Sequence, residues 1–93
     1  MATPAYTVTF DKNGGNTEAI PTTKTATHGG NVGTLPEAPT KTGGYTFASW
    51  NTQADGSGTE FTEITAVTAD ITVYAQWTGS VHNLVKGTYY TTI

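Results

Sequence analysis

The sequence predicts a small, mostly β module built on a mixed, twisted sheet, and three observations lead there. Threonine is the commonest residue, 22 of 93, and arginine is absent. A β-branched residue at that density suits strand faces and weakens helix interiors. Two runs alternate apolar and polar residues, one near each end of the chain. Between them the chain is broken by Gly pairs and prolines at a spacing that leaves room for short strands and turns only.

The first alternating run is Tyr6-Thr7-Val8-Thr9-Phe10-Asp11, with Tyr6, Val8 and Phe10 on one face. That pattern is a half-buried strand. Lys12-Asn13-Gly14-Gly15-Asn16 ends it, because Asn and Gly supply the positive φ of a tight turn. A weaker strand is expected near 22–28, where Thr23, Thr25 and Thr27 alternate with Lys24, Ala26 and His28. Pro21 assigns it to an edge. Val32 to Pro39 is too short and too punctuated by proline for a long helix. At most it forms one helical turn, with Val32 and Leu35 three residues apart and pressed onto the sheet.

The stretch from Gly43 to Phe61 holds two of the three Phe and one of the two Trp, and reads as a hairpin turning at Asp55-Gly56-Ser57-Gly58. Its first strand runs Tyr45–Asn51. Strict alternation puts Trp50 opposite Tyr45 and Phe47. A bulge at Ala48-Ser49 would bring Trp50 round to the core, and that bulge is expected here. Thr59–Thr62 returns as a short strand, and residues 63–70 form a turn anchored by Ile64 and Val67. The last strand is Ile71–Trp77, with Ile71, Val73, Ala75 and Trp77 sharing a face. The core expected from these elements joins Tyr45, Phe47 and Trp50 to Tyr6, Val8, Phe10, Val73 and Trp77.

Composition limits the chemistry. Leu, Ile, Val and Phe together number 15, so the core is small, and ten aromatic residues make up the shortfall. The net charge is −3 and only 4 Lys are present, which leaves no basic patch for a nucleic acid backbone. With no cysteine, a disulfide framework, a thiolate nucleophile and thiolate-bound zinc are excluded. No hydrophobic run approaches the ~20 residues of a membrane span, and no signal peptide is present.

Candidate sites are few. His28 and His82 lack a metal-ligand spacing, and Ser49, Ser57 and Ser80 lie in strand or turn contexts without a base nearby. Asp55-Gly56-Ser57-Gly58 lacks the alternating oxygen ligands of a calcium loop. No catalytic, cofactor-binding or metal-binding residue is therefore assigned, and no enzyme activity is expected. An internal Lys–Asn isopeptide would need a buried Lys beside an Asn and an acid. The remaining candidates are Tyr74, Tyr89 and Tyr90, as exposed aromatics of a binding surface.

Taken in order, Tyr6–Asp11, Asn13-Gly14-Gly15, Pro39, Gly44-Tyr45-Thr46-Phe47, Trp50, Asp55-Gly56, Val67-Thr68-Ala69-Asp70 and Val73-Tyr74-Ala75-Gln76-Trp77 resemble the Listeria–Bacteroides repeat. This is the internalin B-repeat-like module of bacterial cell-surface proteins. The resemblance covers residues 6–78, leaving 1–5 as a lead-in and 79–93 as a linker with a further strand or the start of a next module. Gly43-Gly44 adds a glycine to the usual pattern, and Ser49 replaces a common glycine.

The resemblance implies a β-grasp-like sheet with a short helical or irregular crossover and with parallel first and last strands. It implies an extracellular, cell-surface or cell-wall-associated spacer or stalk for adhesion, monomeric as an isolated module. Its partners would be neighbouring repeats of the same chain. A module that binds a host surface protein or glycan is the alternative.

Overall fold

A computed structural model describes residues 3–79 of the chain. Five strands form one sheet: β1 (Ala5–Asp11), β2 (Thr23–Thr27), β3 (Thr46–Asn51), β4 (Glu60–Phe61) and β5 (Ile71–Thr78). Their order across the sheet is β2-β1-β5-β3-β4. β1 and β5 are parallel, with Val8 opposite Ile71 and Asp11 opposite Tyr74. All other pairings are antiparallel. The mostly-β mixed sheet and the parallel first and last strands are as the sequence and the resemblance led one to expect. The further strand or start of a next module expected within 79–93 lies outside the described residues.

Alternation sorts each strand onto two faces. Val8, Phe10, Val73 and Ala75 are at most 1% exposed, whereas the intervening Thr7, Thr9, Thr72, Tyr74 and Gln76 face outward on the other side. The core face is completed by Ala26, Trp50 and Phe61, with Phe47, Trp77, Tyr6 and Ile71 packed around it. Trp50 reaches this face through a bulge: Phe47 pairs with Trp77, Ser49 pairs with Gln76, and Ala48 is the extra residue. Phe47 and Trp50 thus share one side despite their odd spacing. A glycine at position 49 is not needed for this.

Three of the four aromatic contacts in the core are edge to face, and the fourth, Phe47 with Trp50, is tilted at 58°. Phe10 lies 5.0 Å from Trp50 and 5.9 Å from Phe61, centroid to centroid, at interplanar angles of 70° and 74°. Phe47 bridges Trp50 at 5.1 Å and Trp77 at 6.0 Å. The edge-to-face geometry aligns the positive ring edge with the negative ring face and adds about 0.5–1.5 kcal/mol per pair beyond the area buried. In a chain poor in aliphatic residues, Phe10, Trp50 and Phe61 supply the large side chains at the centre of the core.

No helix occurs among the described residues, so the crossover takes the irregular of its two expected forms. Side chains do the work a helix would do for the backbone. Beside one backbone bond, from the Asn16 main-chain N–H to the Thr40 carbonyl (2.6 Å), the Thr40 main-chain N–H donates to Thr17 Oγ1 (2.9 Å) and the Thr42 main-chain N–H donates to Asn16 Oδ1 (2.8 Å). These bonds fasten the 13–22 and 31–42 segments to each other. A single bridge between Ile20 and Glu37 lengthens the contact.

Two expected anchors are displaced, and a further large apolar side chain points outward. Tyr45 precedes β3 rather than opening it and is 37% exposed. Gly43 and Gly44 both have positive φ (96° and 85°), and this double turn swings the next side chain away from the core. Ile64 is 78% exposed, and Val67 alone anchors its turn at 2%. Ile20 is 65% exposed while its small neighbour Ala19 is buried at 1%. In an irregular segment the side chain that faces inward is fixed by the turn, and size gives no guide.

These exposures predict a sharp contrast. Trp50→Ala should lose about 3–5 kcal/mol of stability by emptying the centre of the aromatic cluster. Ile64→Ala should stay within about 0.5 kcal/mol of the parent. Urea unfolding monitored by far-ultraviolet circular dichroism checks both.

Candidate functional site

The most heavily tied region lies where β1 ends beside β5. Asn13, just past β1, has a left-handed backbone (φ 46°), which Asn tolerates better than most residues. Its Nδ2 donates to the carbonyls of Ala75 (2.9 Å) and Ala54 (2.8 Å). One side chain therefore joins the β1 turn to β5 and to the β3–β4 loop. Trp77 Nε1 completes the tie from β5, donating to the carbonyls of Asn13 (3.1 Å) and Lys12 (3.3 Å). Gly15 must lie against this indole: a Cβ there would sit 2.8 Å from Trp77 Cζ2 and 3.0 Å from the Thr40 carbonyl. Lys41 Nζ stands 4.4 Å above the Tyr45 ring and 5.8 Å from the Trp77 ring, covering the outer side.

The loop between β3 and β4 is closed by polar side chains. Buried Asn51 accepts the amides of Gln53 (2.9 Å) and Gly58 (3.0 Å) at Oδ1. Gln76 Nε2 donates to the carbonyls of Gln53 and Ala54. Asp55 accepts the Ser57 hydroxyl at 2.7 Å and the Ser57 amide at 3.0 Å. The hydroxyl first, then the amide, hold its carboxyl below the usual carboxylate range. Its contacts are those of a turn.

Among the sequence-derived candidates, Tyr74 occupies the middle of the outer face, half-buried between Asp11 of β1 and Asn51 of β3. Tyr89, Tyr90 and His82 lie outside the described residues. His28 packs on Tyr6 at the opposite end of the sheet: the rings are 5.8 Å apart, and the Tyr6 hydroxyl is 3.3 Å from His28 Nδ1. Lys12 pairs with Glu18 at 3.3 Å, Lys24 Nζ bonds the Thr34 carbonyl, and Lys41 faces the two aromatic rings. None of these three lysines is set against an Asn in the way an isopeptide requires.

A groove of about 260 Å³ runs beside β4, lined by Thr52, Glu60, Phe61, Val67, Thr68 and Ile71 among others. No group of three or more His, Cys, Asp or Glu side chains placed to hold a metal occurs among the described residues. Sequence reasoning missed the Asn13–Trp77 tie. The signal was present in Asn13-Gly14, but a turn motif does not tell which distant carbonyls its side chain meets.

The class defined by this geometry is a small mixed-sheet module whose polar side chains are used to fasten its own loops and strand ends. The family model described as the Listeria-Bacteroides repeat domain matches residues 6–76, and the chain belongs to that family. It is also 35% identical over 83 residues to a protein of Evansella cellulosilytica named as a Gly-rich membrane protein. That match covers 85% of this chain and 10% of the relative, so the chain spans about a tenth of that protein's length. No solved structure gives a significant match.

Asn13→Gly keeps the left-handed backbone accessible and removes both Nδ2 bonds. It should cost about 1–3 kcal/mol, the net worth of two hydrogen bonds. Urea unfolding should show a lowered midpoint with an unchanged slope.

Proposed function

We propose that this chain is a non-enzymatic spacer unit of a repeat-built bacterial surface protein, exposed outside the cell and holding an adhesive domain away from the wall. The observation that carries this reading is the parallel pairing of the first and last strands. β1 enters the sheet and β5 leaves it in the same direction. Ala5 lies three residues ahead of Val8, and Thr78 lies seven beyond Ile71, its partner. The chain therefore enters and leaves at opposite ends of the sheet, separated by about ten residues of strand, roughly 33 Å. Copies joined end to end would extend, whereas an antiparallel first and last strand would fold each copy back on the one before.

Family and relative support the same reading. The family is a repeat domain, and the related protein is far longer than this chain and bears a name that places it at a membrane. No helix among the described residues is long and apolar enough to cross a membrane. The threonine-rich outer face suits a surface left in water. Tyr74 is the described residue on which the alternative, recognition of a host protein or glycan, would rest. It is flanked on its own strand by Thr72 and Gln76 and has no aromatic neighbour in register.

Small-angle scattering on one, two and three tandem copies tests the spacer. The maximum dimension should rise by at least roughly 33 Å with each added copy. A dimension that levels off after the second copy would end the proposal.

A further inference from the structure

Chain ends on opposite sides of a parallel pair have a mechanical consequence. Tension pulls β1 back toward its start and β5 forward past its end. The two strands are dragged along their own axes in opposite senses, so separating them requires sliding. A pair loaded by sliding shares the force among all its hydrogen bonds at once. A pair loaded crosswise at one point opens bond by bond, with the whole force on each in turn.

The seam under this load is pinned at both ends. Its ladder runs through four residue pairs, from Val8 with Ile71 to Asp11 with Tyr74. Upstream, the Thr7 amide donates to Asp70 Oδ1 at 2.9 Å, joining the residue before each strand's first pair. Downstream, Asn13 Nδ2 reaches the Ala75 carbonyl and Trp77 Nε1 reaches the Lys12 and Asn13 carbonyls. Sliding β1 past β5 breaks the ladder and both pins together. Val8, Phe10, Val73 and Ala75 beneath it are at most 1% exposed. From the core side, water thus has no access to replace a strained bond until the core itself opens.

We propose that the β1–β5 seam is a mechanical clamp and that this module bears tensile load along its strands. The source of the load rests on the spacer reading; the resistance rests on the seam alone. β2, β3 and β4 lie outside the direct path between the chain ends. Forced unfolding is set by the unfolding barrier, so the clamp is read as a force that depends on direction at unchanged equilibrium stability.

The protein has no cysteine of its own, so introduced thiols give unique handles on the full chain. Thr3→Cys with Thr78→Cys applies force along the seam. Thr25→Cys with Glu60→Cys applies it across the sheet, from one edge strand to the other. All four positions are exposed. With equal urea midpoints established first, single-molecule pulling at one loading rate should give a several-fold higher unfolding force along the seam than across it.

Adding Asn13→Gly and Asp70→Ala should lower the force along the seam by a larger fraction than the crosswise force. Equal forces in the two directions, a weaker force along the seam, or no effect of removing the pins would overturn the clamp. The outcome is separable from the spacer. A compact tandem array would remove the spacer and leave the directional force intact, whereas an extended array of modules without directional force would remove the clamp alone.

Discussion

The rest of the structure depends on the parallel pairing of β1 with β5. Parallel neighbours cannot be joined by a tight turn, so the chain between Asp11 and Ile71 must leave the sheet and return. That excursion carries everything else. β2 pairs back onto β1, and β3 and β4 add beyond β5, so the two strands with the most completely buried side chains are covered on both edges. The core face of the sheet is left for the loops to cover, and Ala19, Val32, Leu35 and Val67 pack onto it. The pairing also fixes the positions of the chain ends, which links the fold to the proposed role.

Covering that face without a helix creates a need for hydrogen-bond partners along irregular backbone. Threonine and asparagine meet it. Thr17, Thr40 and Thr42 with Asn16 fasten two loop segments to each other, and Thr62 with Thr65 closes the turn ahead of Val67. Asn13 and Asn51 each hold a strand end to a loop. The abundance of threonine thus has two causes. Some of it lines the outer face of the strands, where β-branching favours extended backbone, and the rest substitutes for regular structure in the crossover.

This division explains what the sequence made legible. β1 and β5 announce themselves by alternation, because one face of each is sealed and the other is wet. The bulge that turns Trp50 inward was legible from a conflict: alternation put a tryptophan opposite the other aromatics of its own strand. The exposure of Tyr45 was hidden, since it depends on two successive glycines both taking positive φ. So was the choice of Ala19 over Ile20 and of Val67 over Ile64, because loops have no period to read. Candidate site residues fared similarly. Tyr74 lies on the polar face of β5, as alternation requires, but is half-buried rather than exposed, while the Asn13–Trp77 tie joins residues 64 apart in sequence that only the tertiary fold brings together.

Native-state hydrogen exchange measures the central claim most directly, since it ranks hydrogen bonds by the opening that exposes them. If the β1–β5 pairing holds the module together, the amides bonded between Val8–Asp11 and Ile71–Tyr74 should exchange only through global unfolding, at the free energy found by urea denaturation. Those of β4 and of the 52–59 loop should exchange through smaller openings. Seam amides that exchanged as readily as those of β4, with the greatest protection in β2 or β3, would contradict it.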